Sequence, residues 1–340
     1  SAPRIAWRWC LDISMKYFID TYSRLGITFD HYLGESFYSK MLPDVEKKLR
    51  DANLLLESKG AFGVDLGETL GFARVTTPDG RSLYLTRDLA AAEYRHQEFG
   101  FDKCIYVVGT PQTLHFQQLF EILNRLKSPC AHKLEFVGFG HVLGVKTRGG
   151  GEFFELNDLL DEAADKALVA YTELVEKRPS SIDEKYVSEQ VGRSALIVSA
   201  LSKGRIKDVH FDWKQAMQFQ GDTGPYLLYS HARLASLVSK AEANGISLKE
   251  AFEASNSVED EHSFELAYKI LGFWDALDAV VKHNDPNFLV TYALDFAKTI
   301  GSAYNQLRVV GETKEVALSR LAIFEKSRRC LQICIELLGM

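Results

Sequence analysis

The sequence has no apolar run approaching the roughly 20 residues that cross a bilayer. Its start, SAPRIAWRWCLDISMKYF, has neither signal-peptide nor convincing transit-peptide character. A cytoplasmic protein with no membrane partner is expected. Proline is scarce, with 8 residues beside 24 glycines, which excludes collagen, mucin-like stalks and long disordered tracts. The five cysteines, at positions 10, 104, 130, 330 and 334, are too scattered for a disulfide framework and suit a reducing compartment. Cys330 and Cys334 stand four apart in an apolar helical stretch; without CxxC or a nearby histidine they read as core packing, and no metal is expected. Positive charge is not in excess either. Forty Lys and Arg against 46 Asp and Glu give a formal charge of -6, so the surface as a whole is no generic nucleic-acid binder.

What is present is a 340-residue chain with 46% hydrophobic and 25% charged residues, enough for two or three domains. Residues 3–24 carry Trp7, Leu11, Met15 and Phe18 near helical spacing. LGITFDHYLGESFY reads as strand and loop, and residues 41–57 as a helix opened by Pro43. Short strands follow around the turn pair Asp79-Gly80. From Asp88 the pattern is α/β: a helix, the apolar strand KCIYVVG, the helix TLHFQQLFEILNRL, then the strand LEFVGFG. This is half of a doubly wound sheet. From about 157 onward the chain is nearly all helix, so the expected domains are 1–156 and 157–340.

Tyr84, Thr86, Arg87 and Asp88 are placed at the end of a strand, and Gln112 and His115 just past the end of the next. Ligands of open α/β sheets bind outside the carboxyl ends of strands. A carboxylate there suits a guanidinium or ammonium group, Gln112 can read an amino or carboxylate group, and Tyr84 can offer a hydroxyl or a packing face. The plain alternative is that Asp88 caps the following helix. His115 is either a structural histidine or a general base, with no obvious partner to fix its tautomer. VKTRGGGEFF has the make-up of an anion-binding loop, with Lys146 and Arg148 supplying charge and Gly149 to Gly151 letting N–H groups converge. A hairpin turn is the alternative, and the stretch is not a P-loop. In GDTGPYLLYSHAR, Pro225 opens a helix carrying Tyr226, Tyr229, His231 and Arg233, which either contact a nucleic-acid backbone or tie two helices together. Lys282, Lys314, Arg320, Lys326, Arg328 and Arg329 form a basic side that either tracks RNA or is simply solvated.

These blocks resemble arginyl-tRNA synthetase. GITFDHYLGESFY resembles an insertion in that family's catalytic domain. DGRSLYLTRDLAAAEYR, DKCIYVVGTPQTLHFQQLF and LEFVGFGHVLGVKTRGG resemble the second half of its class I Rossmann domain. FDWKQAMQFQGDTGPYLLYSHARL, ALDFAKTIGSAYNQLRVV and CLQICIELLGM resemble the stem and the helical anticodon-binding domain. The resemblance implies a partial Rossmann-like α/β domain followed by an all-α anticodon-binding-like domain. It implies that Tyr84, Asp88 and Gln112 bind arginine, and that Lys146, Arg148, Tyr226, Tyr229 and Arg233 meet tRNA.

Nothing in the sequence matches the family's HIGH signature, and in Val145-Lys146-Thr147-Arg148-Gly149-Gly150 glycine replaces the late lysine of MSTRKG. On that ground the chain reads as N-terminally shortened and independent of ATP or any cofactor. It would accept arginyl-tRNA and join arginine to a second amino acid or aminoacyl-tRNA, as a cyclodipeptide synthase or an arginyl transferase does. Tyr84, Asp88 and His115 would be its catalytic residues. The alternatives are a non-catalytic tRNA(Arg)-binding adaptor or pseudo-synthetase, and a fragment of an arginyl-tRNA synthetase whose half sheet a protein partner covers.

Overall fold

The computed structural model describes residues 2–58, 60–144, 155–175, 183–254 and 260–340. In chain order the elements are helix α1 (Ala2–Arg24), α2 (Leu42–Asp51), the strands β1 (Leu56–Ser58), β2 (Ala61–Asp65) and β3 (Phe72–Arg74), then α3 (Tyr84–Phe99), β4 (Cys104–Gly109), α4 (Thr113–Arg125), β5 (Leu134–Phe139) and β6 (Val142–Leu143). The remainder is α5 (Leu156–Val175), α6 (Glu184–Leu201), β7 (Val209–His210), α7 (Trp213–Ala216), α8 (Gly224–Ala243), α9 (Leu248–Glu253), α10 (Glu261–Leu271), α11 (Phe273–His283), α12 (Asn287–Gln306) and α13 (Lys314–Leu337). An α/β Rossmann-like portion followed along the chain by an all-α portion is therefore what the sequence forms. Two compact units result, one of residues 29–141 and one of residues 1–28 with 142–340.

In the 29–141 unit, β1, β2 and β3 form an antiparallel meander, and β4 and β5 pair in parallel from Cys104–Leu134 to Gly109–Phe139. Leu85, Leu89 and Ala92 of α3 and Phe116, Leu119 and Leu123 of α4 recur at helical spacing and pack with Tyr106 of β4. The turn at Asp79-Gly80 forms as the dipeptide predicts, with Gly80 at φ 79° and Thr77 N–H donating to Arg81 O.

Two local expectations shift. Residues 41–57 are not one helix: α2 stops at Asp51, Asn53 turns left-handed at φ 55°, and Leu54 N–H donates back to Leu49 O. The stretch from Tyr84 to Asp88 is not the end of a strand but the first turns of α3. Leu83 is the last extended residue, its N–H donates to Val75 O, and the Thr86 hydroxyl donates to the same carbonyl at 2.7 Å. The helix-forming run Leu89–Ala92 then propagates back to Tyr84, because only a helix turns Leu85 and Leu89 together into the core.

In the other unit, α5, α6 and α8 meet at unusually close range. A Cβ on Gly192 of α6 would stand 2.7 Å from the Ala163 carbonyl carbon of α5, and one on Gly224 of α8 would stand 2.1 Å from the Ser194 oxygen of α6. Both positions need glycine for the close approach rather than for an unusual φ. The segment DTGP starts α8 by two local devices: Thr223 Oγ1 accepts from Tyr226 N–H, and Pro225 fits the first helical turn.

Candidate functional site

β4 ends at Gly109, the 3-10 turn Thr110–Gln112 follows, and α4 begins at Thr113 with Gln112 as its N-cap residue. Gln112 and His115 are thus one turn apart at the carboxyl end of a parallel strand. On α3, Tyr84 and Asp88 are i and i+4, so they share a face. The two helices are joined at this point, because His115 Nε2 lies 2.6 Å from Asp88 Oδ2. An ionised carboxylate offers acceptors only, so Nε2 carries the proton in this pair. This contact also decides the capping question. Asp88 sits in the second turn of α3, whose N-cap is Leu83, so it caps nothing.

The polar atoms that face outward here are open. Tyr84 is 64% exposed, its ring lies under Arg87 at 5.8 Å, and Arg87 is held by Glu35 at 3.3 Å. The side chains of Asp88 and His115 are 37% and 23% exposed. Among the described residues, Asp88 Oδ1 and the Gln112 amide have no hydrogen-bond partner. Behind them, burial pushes the Tyr106 phenol up, and the Arg95 guanidinium lies 5.8 Å from the ring centre. The floor of the site thus holds a neutral phenol and the Arg95 cation, while the open negative charge sits on Asp88.

A second cluster lies on the helical unit. Arg233 of α8 lies over the ring of Tyr304 at 3.9 Å and over that of Tyr229 at 5.5 Å, and reaches Asn305 at 3.3 Å. Arg233, Tyr229 and Asn305 line an open pocket of about 420 Å³ with Phe219, Gln220 and Lys298. Tyr226 plays a structural part, its hydroxyl donating to Ala297 O of α12 at 3.1 Å. The sequence reading missed Tyr304, Lys298 and Asn305, which no local signal links to Arg233. Lys146 and Arg148 lie outside the described residues.

The expected basic side of the C-terminal helices is largely neutralised by carboxylates. Lys314 pairs with Glu250, Arg320 with Asp260 and Glu312, and Arg328 and Arg329 both with Glu325. Arg328 also approaches His231 Nε2 at 3.2 Å. Burial, helped by the Arg328 charge, holds His231 below the usual histidine range. The unfolded chain therefore takes up a proton at higher pH than the folded one. The stability this gives is complete above about pH 6.5, the unfolded value, and falls as pH drops through it toward the folded value. The thermal midpoint should fall more steeply from about pH 7 to about pH 5.5 in the native protein than in His231→Gln, which keeps an acceptor for Arg328. Parallel slopes in a calorimetric pH series would exclude this role.

A cavity of about 820 Å³ lies elsewhere, among Arg24 of α1, Asp161 and Asp165 of α5 and Glu184 and Glu189 of α6. Its acidic lining makes it a poor host for a polyanion.

Residues 2–213 match the model of the class I tRNA synthetase (R) catalytic domain, and residues 227–340 match the DALR anticodon binding domain. The arginine–tRNA ligase of Clostridioides difficile is 38% identical over 98% of this chain and 58% of its own length. The cytoplasmic arginine–tRNA ligase of Saccharomyces cerevisiae is 36% identical over 98% and 55%. The crystal structure of arginyl-tRNA synthetase from Plasmodium falciparum superposes with a TM-score of 0.87 at 26% identity, covering 99% of this chain and 58% of that one. The chain thus spans a little over half the length of these relatives.

These matches overturn the reading as a cyclodipeptide synthase or arginyl transferase, and equally the pseudo-synthetase. The proteins that match along 98% of the chain are ligases, and none of them is named for peptide-forming chemistry. The expected independence of ATP falls with it, since a ligase couples its bond to cleavage of a nucleoside triphosphate. The missing HIGH segment was the mainstay of both readings. The chain spans only 55–58% of these ligases, so a signature it lacks says nothing about their chemistry. By the match over 2–213 and the identity to these ligases, the chain belongs to the class I arginyl-tRNA synthetase family.

Proposed function

We propose that this chain belongs to an ATP-dependent arginine–tRNA ligase, in which it selects arginine at Tyr84, Asp88 and Gln112 and holds tRNA through its helical unit. In the first step the arginine carboxylate attacks the α-phosphorus of ATP, forming arginyl-adenylate and releasing pyrophosphate. In the second a terminal ribose hydroxyl of tRNA attacks the acyl carbon, its proton leaves, and AMP departs. The nucleophile of the first step is the carboxylate of the substrate itself, so no general base is required of Tyr84, Asp88 or His115. Their work is binding and orientation. The second amino-acid acceptor is therefore dropped, and tRNA is the acceptor.

The observation that carries this reading is the open carboxylate of Asp88, aligned with Tyr84 one turn back on α3 and tied to the turn that bears Gln112. A guanidinium pairs with such a carboxylate through two parallel N–H donors. Lys146 and Arg148 suit the phosphates of ATP or tRNA. Ile105 and Val107 of β4, both exposed, suit a protein surface packing on the open sheet face. The cytoplasm fits the reading, as in the yeast relative named cytoplasmic. Arginine-dependent ATP–pyrophosphate exchange and charging of tRNA(Arg) by the whole protein test it. Absence of both would refute it.

For tRNA, what supports the reading is Arg233 with Tyr229 and Tyr304, a cationic and aromatic cluster against which an unstacked base can stack. Loss of such a stack costs about 1–3 kcal/mol per base. Arg233→Ala should therefore raise the Kd for tRNA(Arg) by about tenfold or more and leave the KM for arginine unchanged. Filter binding and exchange kinetics separate the two, and an unaltered Kd would remove this cluster from the interface.

A further inference from the structure

We propose that His115 is the positioning residue that makes Asp88 selective for arginine, an inference that rests on the arginine pocket read above. The two residues come from different helices, 27 positions apart, and meet at 2.6 Å through Nε2 and Oδ2. Among the described residues this is the only hydrogen bond of the Asp88 carboxylate, so the second oxygen is left for a ligand. His115 stands three residues beyond Gln112, in the first turn of α4. One hydrogen bond therefore fixes the carboxylate against the same turn that carries the other polar group of the pocket.

A guanidinium is a rigid planar fork and needs its carboxylate at a set angle, whereas an ammonium is a point charge that accepts many angles. An aspartate free to rotate about its side-chain bonds would still attract both cations but would discriminate less between them. The tether therefore acts on selectivity more than on bulk attraction. A purely structural role is poorly matched to the pair, since both side chains keep access to water and an exposed pair adds little to folding.

The test uses the whole protein and measures arginine-dependent ATP–pyrophosphate exchange, with lysine as competitor. His115→Ala should raise the KM for arginine by about tenfold and kcat should change less. The advantage of arginine over lysine should narrow, and the thermal midpoint should stay in place. His115→Gln should restore most of the loss, because its amide nitrogen extends about as far as Nε2 and also donates. A wild-type KM in His115→Ala, or a loss that glutamine does not restore, would overturn the tether. Asp88→Asn separates this from the underlying reading. If that variant keeps a wild-type KM, the arginine pocket itself is refuted; if it raises KM while His115→Ala does not, the pocket stands and only the tether falls.

Discussion

Alanine in place of Asp88 is expected to lower kcat/KM for arginine in the whole protein by about two to three orders of magnitude. Truncating one partner of a hydrogen-bonded charge pair costs about 2–5 kcal/mol, and each 1.4 kcal/mol is about tenfold. Asp88 bears the carboxylate at the joined starts of α3 and α4, and the groups behind it, Tyr106 and Arg95, carry no negative charge. The other acid described at the site, Glu35, is already paired with Arg87. The loss should fall on arginine-dependent steps alone. Affinity for tRNA(Arg) should persist, and stability should change by about 1 kcal/mol or less because the Asp88 and His115 side chains both reach solvent. Steady-state exchange kinetics measure the first quantity and thermal unfolding the second. Activity equal to wild type would leave Asp88 as only a bridge between two helices.

The largest effect on folding is expected at Glu325. Its side chain is 3% exposed within α13 and accepts from Arg328 Nε at 2.7 Å, from Arg328 Nη2 at 2.8 Å and from Arg329 Nε at 2.7 Å. Burial pushes this carboxyl up, but the hydrogen bonds from the two guanidiniums outweigh it and hold it below the usual carboxylate range. Alanine there removes the anion and leaves Arg328, only 22% exposed, facing His231 with the neutral Gln332 amide as its remaining acceptor beside the ring. Breaking a buried pair in this way costs about 3–5 kcal/mol. The low end applies here, because Arg329 retains water. At roughly 2–4 °C per kcal/mol for a unit of this size, the midpoint should fall by about 6–12 °C. Replacing the whole set, with Glu325→Leu and Arg328→Met together, should recover part of the loss, as apolar substitution of buried ion pairs often does. Unfolding of Glu325→Ala at the wild-type midpoint would show that the cluster contributes nothing.

What was legible in the sequence was what neighbours in the chain decide. Thr223, Gly224 and Pro225 announce the start of α8 by capping and by proline geometry, and Asp79-Gly80 announces its turn. The blocks that resemble a synthetase were legible for the same reason. The partner of His115 was not, because Asp88 lies 27 residues away on another helix. Nor was the Arg233 cluster, whose member Asn305 is 72 residues distant. Tyr84 to Asp88 misled because Leu83-Tyr84-Leu85 has strand-like residues whose burial is satisfied only by a helix. The basic C-terminal side stayed undecided because a sequence shows charges without their counterions, which Glu250, Asp260 and Glu325 supply. The peptide-forming reading failed for a different reason: a missing signature is weak ground in a chain that spans only 55–58% of its relatives.

The seam between the two family matches, at 213 and 227, falls inside one compact unit rather than between two. On one side of α6, Gly192 sets backbone against the backbone of α5; two residues on, Ser194 meets the backbone of α8 at Gly224. No side chain cushions either contact, so there is no slack for one helix to slide while its neighbour stays still. Force applied at the start of α8 must travel through α6 into α5, as through a dovetailed joint. The segment of catalytic-domain ancestry and the segment of anticodon-domain ancestry are, mechanically, one lever.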